Sequence, residues 1–257
     1  GMMDCKKALT ESNGDFEAAA DYLRKKGAKI AANRADRESK EGVVIAKSTG
    51  KTGIVLAVNC ETDFVAKNAD FIAFATSVID AAMASNVTTL EALLGLKLGS
   101  ATVADALIDQ TGKIGEKIEI TQFATLSGEK IVPYIHAGYR LGVLVALNAD
   151  AANVDEAGKD VAMQIAAMNP VAVDKDGVDS RTIERELEIA KEQIRAEGKA
   201  EDMVEKIAQG KLNKFYKDMT LLNQEFVKDG SKTVAQMLND VHKGLTVTAF
   251  KRIALGA

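Results

Sequence analysis

The side chains that could perform acid–base, nucleophilic or metal chemistry are few and widely spaced. His136 and His242 are the only imidazoles, and Cys5 and Cys60 the only thiols, among 257 residues. A metal site needs such ligands at short spacings, and nucleophilic catalysis needs a nucleophile paired with a base. Neither pattern occurs here. The sequence therefore predicts a binding protein that is not an enzyme and that holds no metal or cofactor.

One loop contains part of a nucleotide-binding pattern. Gly50-Lys51-Thr52 resembles the end of a phosphate-binding loop. That motif also needs a glycine five residues before Gly50, where this chain has Ile45, and it must lead from a strand into a helix. Here the flanking segments are two apolar strands with a Gly-containing loop between them, which predicts a β-hairpin. We therefore reject a nucleotide site at this loop.

A polar stretch at residues 59–68 needs a different explanation. It reads Asn-Cys-Glu-Thr-Asp-Phe-Val-Ala-Lys-Asn and lies between an apolar strand, 53–58, and an apolar-periodic helix beginning near Ala69. Three residues could cap that helix: Thr62, Asp63 and Asn68. Phe64 is a large ring in this loop that capping does not require. It either packs back on the helix as a hydrophobic staple or faces outward as a partner anchor, and the local pattern favours the staple.

The first 42 residues predict a small helical module and a linker. Segments 2–10 and 15–26 have helical apolar spacing, and Gly27 is expected to end the second helix. Two short helices cannot enclose a core, so the module 1–27 is incomplete or leans on another part of the chain. Residues 28–42 are rich in charge and lack an apolar stripe, which is typical of a linker and compatible with a helical one.

The rest of the chain alternates strands and helices and predicts an α+β fold. The predicted strands are 43–47, 53–58, 118–126, 131–135, 141–147 and 246–253. The predicted helices are 69–83, 89–96, 102–110, 155–168, 180–196, 201–219 and 233–242. In the two longest helices, apolar residues recur every three or four positions. This spacing predicts an antiparallel helical hairpin over 180–219.

An internal repeat divides the core into two related subdomains. Residues 53–59 match residues 142–148, with Gly, Ala and Asn shared and apolar residues at the other four positions. Each copy ends a hairpin, leads into a helix, and is later followed by a similar closing strand. The repeat predicts two ββα…αβ units, 43–126 and 127–257, with the helical hairpin inserted in the second. Each unit would form a small antiparallel sheet with helices on one face.

The second copy of the repeat serves as an internal control for Phe64. After Asn59 the chain continues Cys-Glu-Thr-Asp-Phe-Val, whereas after Asn148 it continues Ala-Asp-Ala-Ala-Asn-Val. If the entering helix needed a staple, the second copy should carry a bulky residue, but its nearest candidate is the smaller Val154. The repeat therefore favours the staple and the anchor equally.

Charge and composition limit the partners and the compartment. A net charge of −4 argues against a general nucleic-acid binder. No apolar run approaches the roughly 20 residues that span a membrane. Two cysteines and no recognisable secretory signal indicate the cytoplasm. The alternative is a structural or RNA-associated scaffold that uses the helical hairpin as an arm, although no aromatic and basic strand pattern supports RNA binding.

Several segments together resemble the elongation factor Ts family, the nucleotide exchange factors of the GTPase elongation factor Tu. They are GMMDCKKAL at 1–9, the signature at 59–66, His136-Ala137-Gly138 leading into 141–145, the helical hairpin, and 231–234. The resemblance covers essentially the whole chain. It implies a ubiquitin-associated-like module of three helices, whose first helix would precede Gly1, followed by two related subdomains. Some members also carry a helix beyond the position that corresponds to Ala257.

The resemblance also implies a mechanism without covalent catalysis. In the family, the element that corresponds to Thr62, Asp63, Phe64 and Val65 enters the GTPase domain of elongation factor Tu near its magnesium site. The phenylalanine wedges between two partner helices, and the aspartate helps to fix the junction. Displaced magnesium ligands then weaken GDP binding, and GTP can rebind.

Further contacts with elongation factor Tu, in its GDP-bound and nucleotide-free forms, are implied at four residues. Met2 and Met3 are expected to touch the GTPase domain. His136 and Gly138 are expected to face the other partner domains.

Overall fold

The computed structural model describes residues 2–256 and confirms the α+β class. The helices are α1 (Met2–Glu11), α2 (Phe16–Asn33), α3 (Asp63–Ala66), α4 (Ala69–Ser85), α5 (Leu90–Gly95), α6 (Val103–Ile114), α7 (Val154–Met168), α8 (Ser180–Ala196), α9 (Glu201–Met219) and α10 (Val234–Val241). The strands are β1 (Glu41–Ser48), β2 (Thr52–Cys60), β3 (Lys97–Leu98), β4 (Ala101–Thr102), β5 (Glu119–Ser127), β6 (Lys130–Ile135), β7 (Leu141–Leu147), β8 (Glu225–Phe226), β9 (Asp229–Thr233) and β10 (Val247–Ala254).

Two three-stranded sheets reproduce the internal repeat. The first has the order β1-β2-β5 and the second the order β10-β7-β6. In each sheet the second strand of a hairpin is central, flanked by the first hairpin strand and by the later closing strand. β1 and β2 pair antiparallel from Glu41 opposite Cys60 to Ser48 opposite Gly53. The loop at Gly50 thus joins two strands of a hairpin, as predicted, and does not lead into a helix as a phosphate-binding loop does.

The repeat extends further than the sequence indicated. In both halves a short two-stranded ladder, β3–β4 or β8–β9, leads directly into a helix with a capping box. Thr102 pairs with Asp105 at the start of α6, and Thr233 pairs with Gln236 at the start of α10. These ladders have strands as short as two residues, which is too short for a period-two pattern to be recognised.

The expected end of the second helix at Gly27 is wrong, because α2 continues to Asn33 and is capped at Arg34. Gly27 lies inside the helix and against Gly112 of α6. A Cβ atom built on Gly112 would lie 2.7 Å from the Cα atom of Gly27. The glycine thus permits a close helix crossing, so α2 packs against α6, and α1 packs against α2. Residues 28–33 of the expected linker are consequently helical.

The helical hairpin is confirmed with the expected bounds for α8 and α9. Its seam buries Ala190 and Ile194 of α8 against Val204 and Ala208 of α9. The outer faces are charged.

The described residues form two compact units. One comprises the chain up to residue 126 together with 133–144 and residues from 251 onward, and the other comprises 127–132 and 145–250. Each strand of the second sheet therefore has residues in both units. The domain boundaries at 42/43 and 126/127 stay a prediction. Among residues 2–256, no helix combines the length and apolar character that crossing a bilayer requires.

Candidate partner-binding site

Residues Asp63–Ala66 form one helical turn, α3, with Thr62 at its N-cap position, and not the open loop expected from the sequence. The N–H of Ala66 donates to the carbonyl of Thr62 at 3.2 Å, and the N–H of Lys67 donates to that of Asp63 at 3.0 Å. A separate cap begins α4, because the side chain of Asn68 accepts from the N–H of Asp70 at 2.8 Å. The turn is therefore an element of its own between β2 and α4.

Phe64 faces solvent on this turn, with 83% of its surface exposed. Its neighbours Val65 and Ala66 pack against the core that the first sheet forms with α4 and α6. The staple interpretation is therefore wrong, since Val65 and Ala66 hold the turn and the ring of Phe64 points away. An aromatic ring presented in this way can enter a pocket of a partner.

Asp63 lies beside the ring as a negative charge. Its carboxylate accepts from Lys67 Nζ at 2.6 Å, four residues along. That hydrogen bond, with the positive charge of Lys67, holds the pKa of the Asp63 carboxyl below its ordinary value. Asp63 is therefore ionised at neutral pH and partly accessible.

Glu116 holds the start of the turn from outside it. Its Oε2 accepts from the backbone N–H groups of Glu61 and Thr62, each at 3.0 Å, and its Oε1 accepts from the Thr62 hydroxyl at 2.6 Å. Gly115, with φ +83°, ends α6 in the left-handed conformation immediately before Glu116. The sequence gives no sign of this contact, because Glu116 lies 54 residues from Thr62.

The side chain of Glu61 bonds to the segment that contains Glu116. Its Oε1 accepts from the N–H of Lys117 at 2.7 Å and from Arg34 Nη1 at 2.7 Å. Desolvation raises the pKa of the Glu61 carboxyl, but the hydrogen bonds from Lys117 and Arg34 and the charges of Arg34 and Arg37 outweigh it and leave the pKa below its ordinary value. The carboxylate is thus ionised in this setting.

Cys60 lies buried beneath the turn. Its thiol contacts the carbonyl oxygen of Thr62 at 3.2 Å. Burial, with the nearby Glu116 carboxylate, raises the pKa of the Cys60 thiol to about 12. A thiol with this pKa stays protonated near neutral pH, so its role is packing and donation to the backbone and not nucleophilic attack.

The other expected contact residues lie on separate elements. Met2 and Met3 are exposed in the first turn of α1. His136 is exposed in the loop between β6 and β7, with its Nδ1 3.0 Å from the hydroxyl of Tyr134, and Gly138 lies in the same loop. The structure thus places Thr62 to Val65 on one turn, and the four further residues on one helix and one hairpin loop.

Within residues 2–256, no group of three or more His, Cys, Asp or Glu side chains is arranged to hold a metal ion. The turn itself presents an exposed aromatic ring and an ionised carboxylate, on a backbone held from two sides.

Comparison with known proteins places the chain in one family. The family model described as Elongation factor TS matches residues 61–257. Elongation factor Ts of Cytophaga hutchinsonii is 58% identical over 259 residues, covering 99% of this chain and 93% of the relative. The proteins of the same name from Flavobacterium psychrophilum and Chlorobaculum tepidum are 51% and 46% identical, covering all of this chain and 93% and 94% of their own lengths. The chain therefore belongs to the elongation factor Ts family of translation elongation factors.

Proposed function

We propose that this chain binds the GTPase elongation factor Tu in the cytoplasm and accelerates the release of GDP, so that GTP can rebind. The observation that supports this function most directly is the exposed ring of Phe64 on an anchored turn. With 83% of its surface exposed, the ring leaves apolar area in contact with water, which is unfavourable in the free protein. Such rings are enriched among the residues that dominate the energy of protein interfaces.

The mechanism is displacement by binding, without a covalent step. Phe64 enters between two helices of the GTPase domain, and the ionised Asp63 fixes the junction, with Thr62 and Val65 completing the contact. Magnesium demands near-ideal octahedral geometry, so small movements of its protein ligands weaken its binding. Loss of the cation leaves the phosphates of GDP without their counter-charge, and GDP leaves faster.

The four further contacts extend the interface. Met2 and Met3 offer flexible apolar side chains that adapt to the GTPase domain. His136 and Gly138 belong to a loop whose backbone is already ordered, because the N–H of His136 donates to the carbonyl of Leu141 at 2.8 Å. These residues contribute affinity, and the exchange itself depends on the turn that carries Phe64.

Replacing Phe64 by alanine tests the wedge. We expect Phe64→Ala to lose about 2 kcal/mol or more of the exchange-relevant interaction, which is about thirtyfold in rate. The measurement is release of fluorescent GDP from elongation factor Tu by stopped flow, with wild-type chain and without chain as references.

Phe16 provides the matched control, because it is a comparably exposed phenylalanine on α2. Phe16→Ala should retain most of the stimulation. If Phe64→Ala stimulates GDP release as strongly as the wild-type chain, the wedge is ruled out. If the wild-type chain does not stimulate release at all, the proposed function is ruled out.

A further inference from the structure

We propose that Glu116 is a positioning residue that fixes the turn carrying Phe64 before any partner binds. This inference rests on the proposed function, since it concerns the same exposed ring. Glu116 is outside the Thr62 to Val65 element. It accepts two hydrogen bonds from Thr62 and a third from the backbone of Glu61, the residue before that element.

The hydroxyl of Thr62 is bonded to Glu116 and not to the helix that Thr62 begins. A threonine at the N-cap position normally accepts from a backbone N–H of its own helix. Here Thr62 makes no side-chain cap of α3, and its hydroxyl donates to Glu116 instead. The turn thus lacks the usual side-chain cap, and the same hydroxyl attaches it to Glu116 in the segment that follows α6.

The chemistry of Glu116 suits this attachment. An ionised carboxylate only accepts hydrogen bonds, and its two oxygens can together take several donors. Two backbone N–H groups and one hydroxyl meet it here, at 3.0, 3.0 and 2.6 Å. Hydrogen bonds to a charged group are about twice as strong as neutral ones. They fix the backbone at Glu61 and Thr62 immediately before the helical turn.

The attachment is reciprocal. While Glu116 accepts from the backbone at Glu61, the side chain of Glu61 accepts from the backbone N–H of Lys117, next to Glu116. Arg34, at the end of α2, donates to the same Glu61 carboxylate. Three segments far apart in the sequence therefore set the position of the turn.

The consequence for binding is preorganisation. Val65 and Ala66 are packed against the core on one side of Phe64, and Glu116 holds the backbone on the other. Phe64 therefore projects in a fixed direction in the free protein. Without Glu116, the turn would have to be ordered during binding, and that ordering would cost affinity.

The test measures stimulated GDP release from elongation factor Tu with the full chain. Glu116→Ala should lower the apparent second-order rate constant about tenfold, as expected for the loss of hydrogen bonds to a charged group. Glu116→Gln should show a smaller loss than Glu116→Ala, because the amide oxygen still accepts both N–H groups and the amide nitrogen can donate to the Thr62 hydroxyl, while the charge is removed. Glu91→Ala, which removes an exposed carboxylate from α5, is the matched control and should change nothing.

A double-mutant cycle separates positioning from a general structural role. If Glu116 acts through Phe64, Glu116→Ala should have no further effect in the Phe64→Ala background. An equal tenfold loss in both backgrounds, or the absence of any loss in Glu116→Ala alone, would overturn the positioning role. If Glu116→Ala does not fold, Glu116→Gln, which removes the charge and leaves every proposed contact residue unchanged, should show the smaller loss with the same dependence on Phe64.

The outcomes also distinguish this inference from the proposed function. A deficit in Phe64→Ala with wild-type behaviour of Glu116→Ala would refute only the positioning role. Wild-type behaviour of Phe64→Ala would refute the wedge on which both depend.

Discussion

Glu61 links the stability of the folded chain to pH. Its carboxylate lies between the N–H of Lys117 and the guanidinium of Arg34. The pKa of this carboxyl is lower in the folded chain than in the unfolded chain, where it is about 4.3. The carboxylate therefore stabilises the folded state at pH values above that unfolded pKa. That stabilisation is lost as the pH falls through the folded pKa.

Glu61→Gln should therefore destabilise the chain at pH 7 and matter little in acid. We expect a reduction of about 1–2 kcal/mol in the free energy of unfolding at pH 7, as for a hydrogen bond to a charged group. The difference between wild type and variant should shrink as the pH falls through the lowered pKa of Glu61 in the folded chain. Urea unfolding at a series of pH values measures it, and a difference that grows in acid would contradict the assignment.

At the residue scale, the sequence identified the ring but not its support. Phe64 is recognisable because a bulky apolar residue in a polar junction has no role in capping, and the second copy of the repeat lacks it. Glu116 is not recognisable, because a carboxylate among many on a soluble chain shows its partners only when distant segments meet. Local patterns describe neighbours in sequence, and this contact spans 54 residues.

Among the elements, the accuracy of the expectations follows the length of the pattern. The helices of the hairpin, of 17 and 19 residues, carry the longest runs of apolar spacing, and their bounds agree with the structure. Gly27 lies near the end of a periodic segment, where a glycine usually marks a helix end. In this chain the missing side chain serves a helix crossing, which only the tertiary structure reveals.

Gly112→Ala tests that crossing. A Cβ atom at this position would lie 2.7 Å from the backbone of Gly27, a contact that neither helix can relieve by a rotamer change. We expect a loss of about 1–3 kcal/mol in the free energy of unfolding, as for overpacked sites. Chemical denaturation followed by circular dichroism provides the measurement.

Gly210→Ala is the control for helix propensity alone. Gly210 lies inside α9, with nothing within 4 Å of an added Cβ atom. This substitution should stabilise the chain by about 0.5–1 kcal/mol, because alanine loses less backbone entropy. Opposite signs for the two variants are the expected result, and equal signs would exclude the steric explanation at Gly112.

For the whole molecule, the duplication separates scaffold from function. Both three-stranded sheets have the same strand arrangement, and both halves contain a ladder that leads into a helix with a capping box. Only the first half carries Phe64 on an outward turn. Each scaffold could be inferred from hydrophobic periodicity, since burial repeats along the chain. The exposed ring breaks that periodicity, and under the proposed function its role depends on a surface that belongs to elongation factor Tu.

Under the proposed function, this chain binds elongation factor Tu in both its GDP-bound and its nucleotide-free state. By linkage, whatever factor this chain applies to the affinity of elongation factor Tu for GDP, GDP must apply to the affinity for this chain. If Phe64 is a wedge, its contacts are made in the nucleotide-free complex and are weaker when GDP is bound. Phe64→Ala should therefore weaken binding to the nucleotide-free partner by about tenfold more than binding to the GDP-bound partner. Titration calorimetry of both forms measures the two losses. Equal losses would mean that Phe64 adds affinity to both states alike, and a residue of that kind cannot drive GDP out.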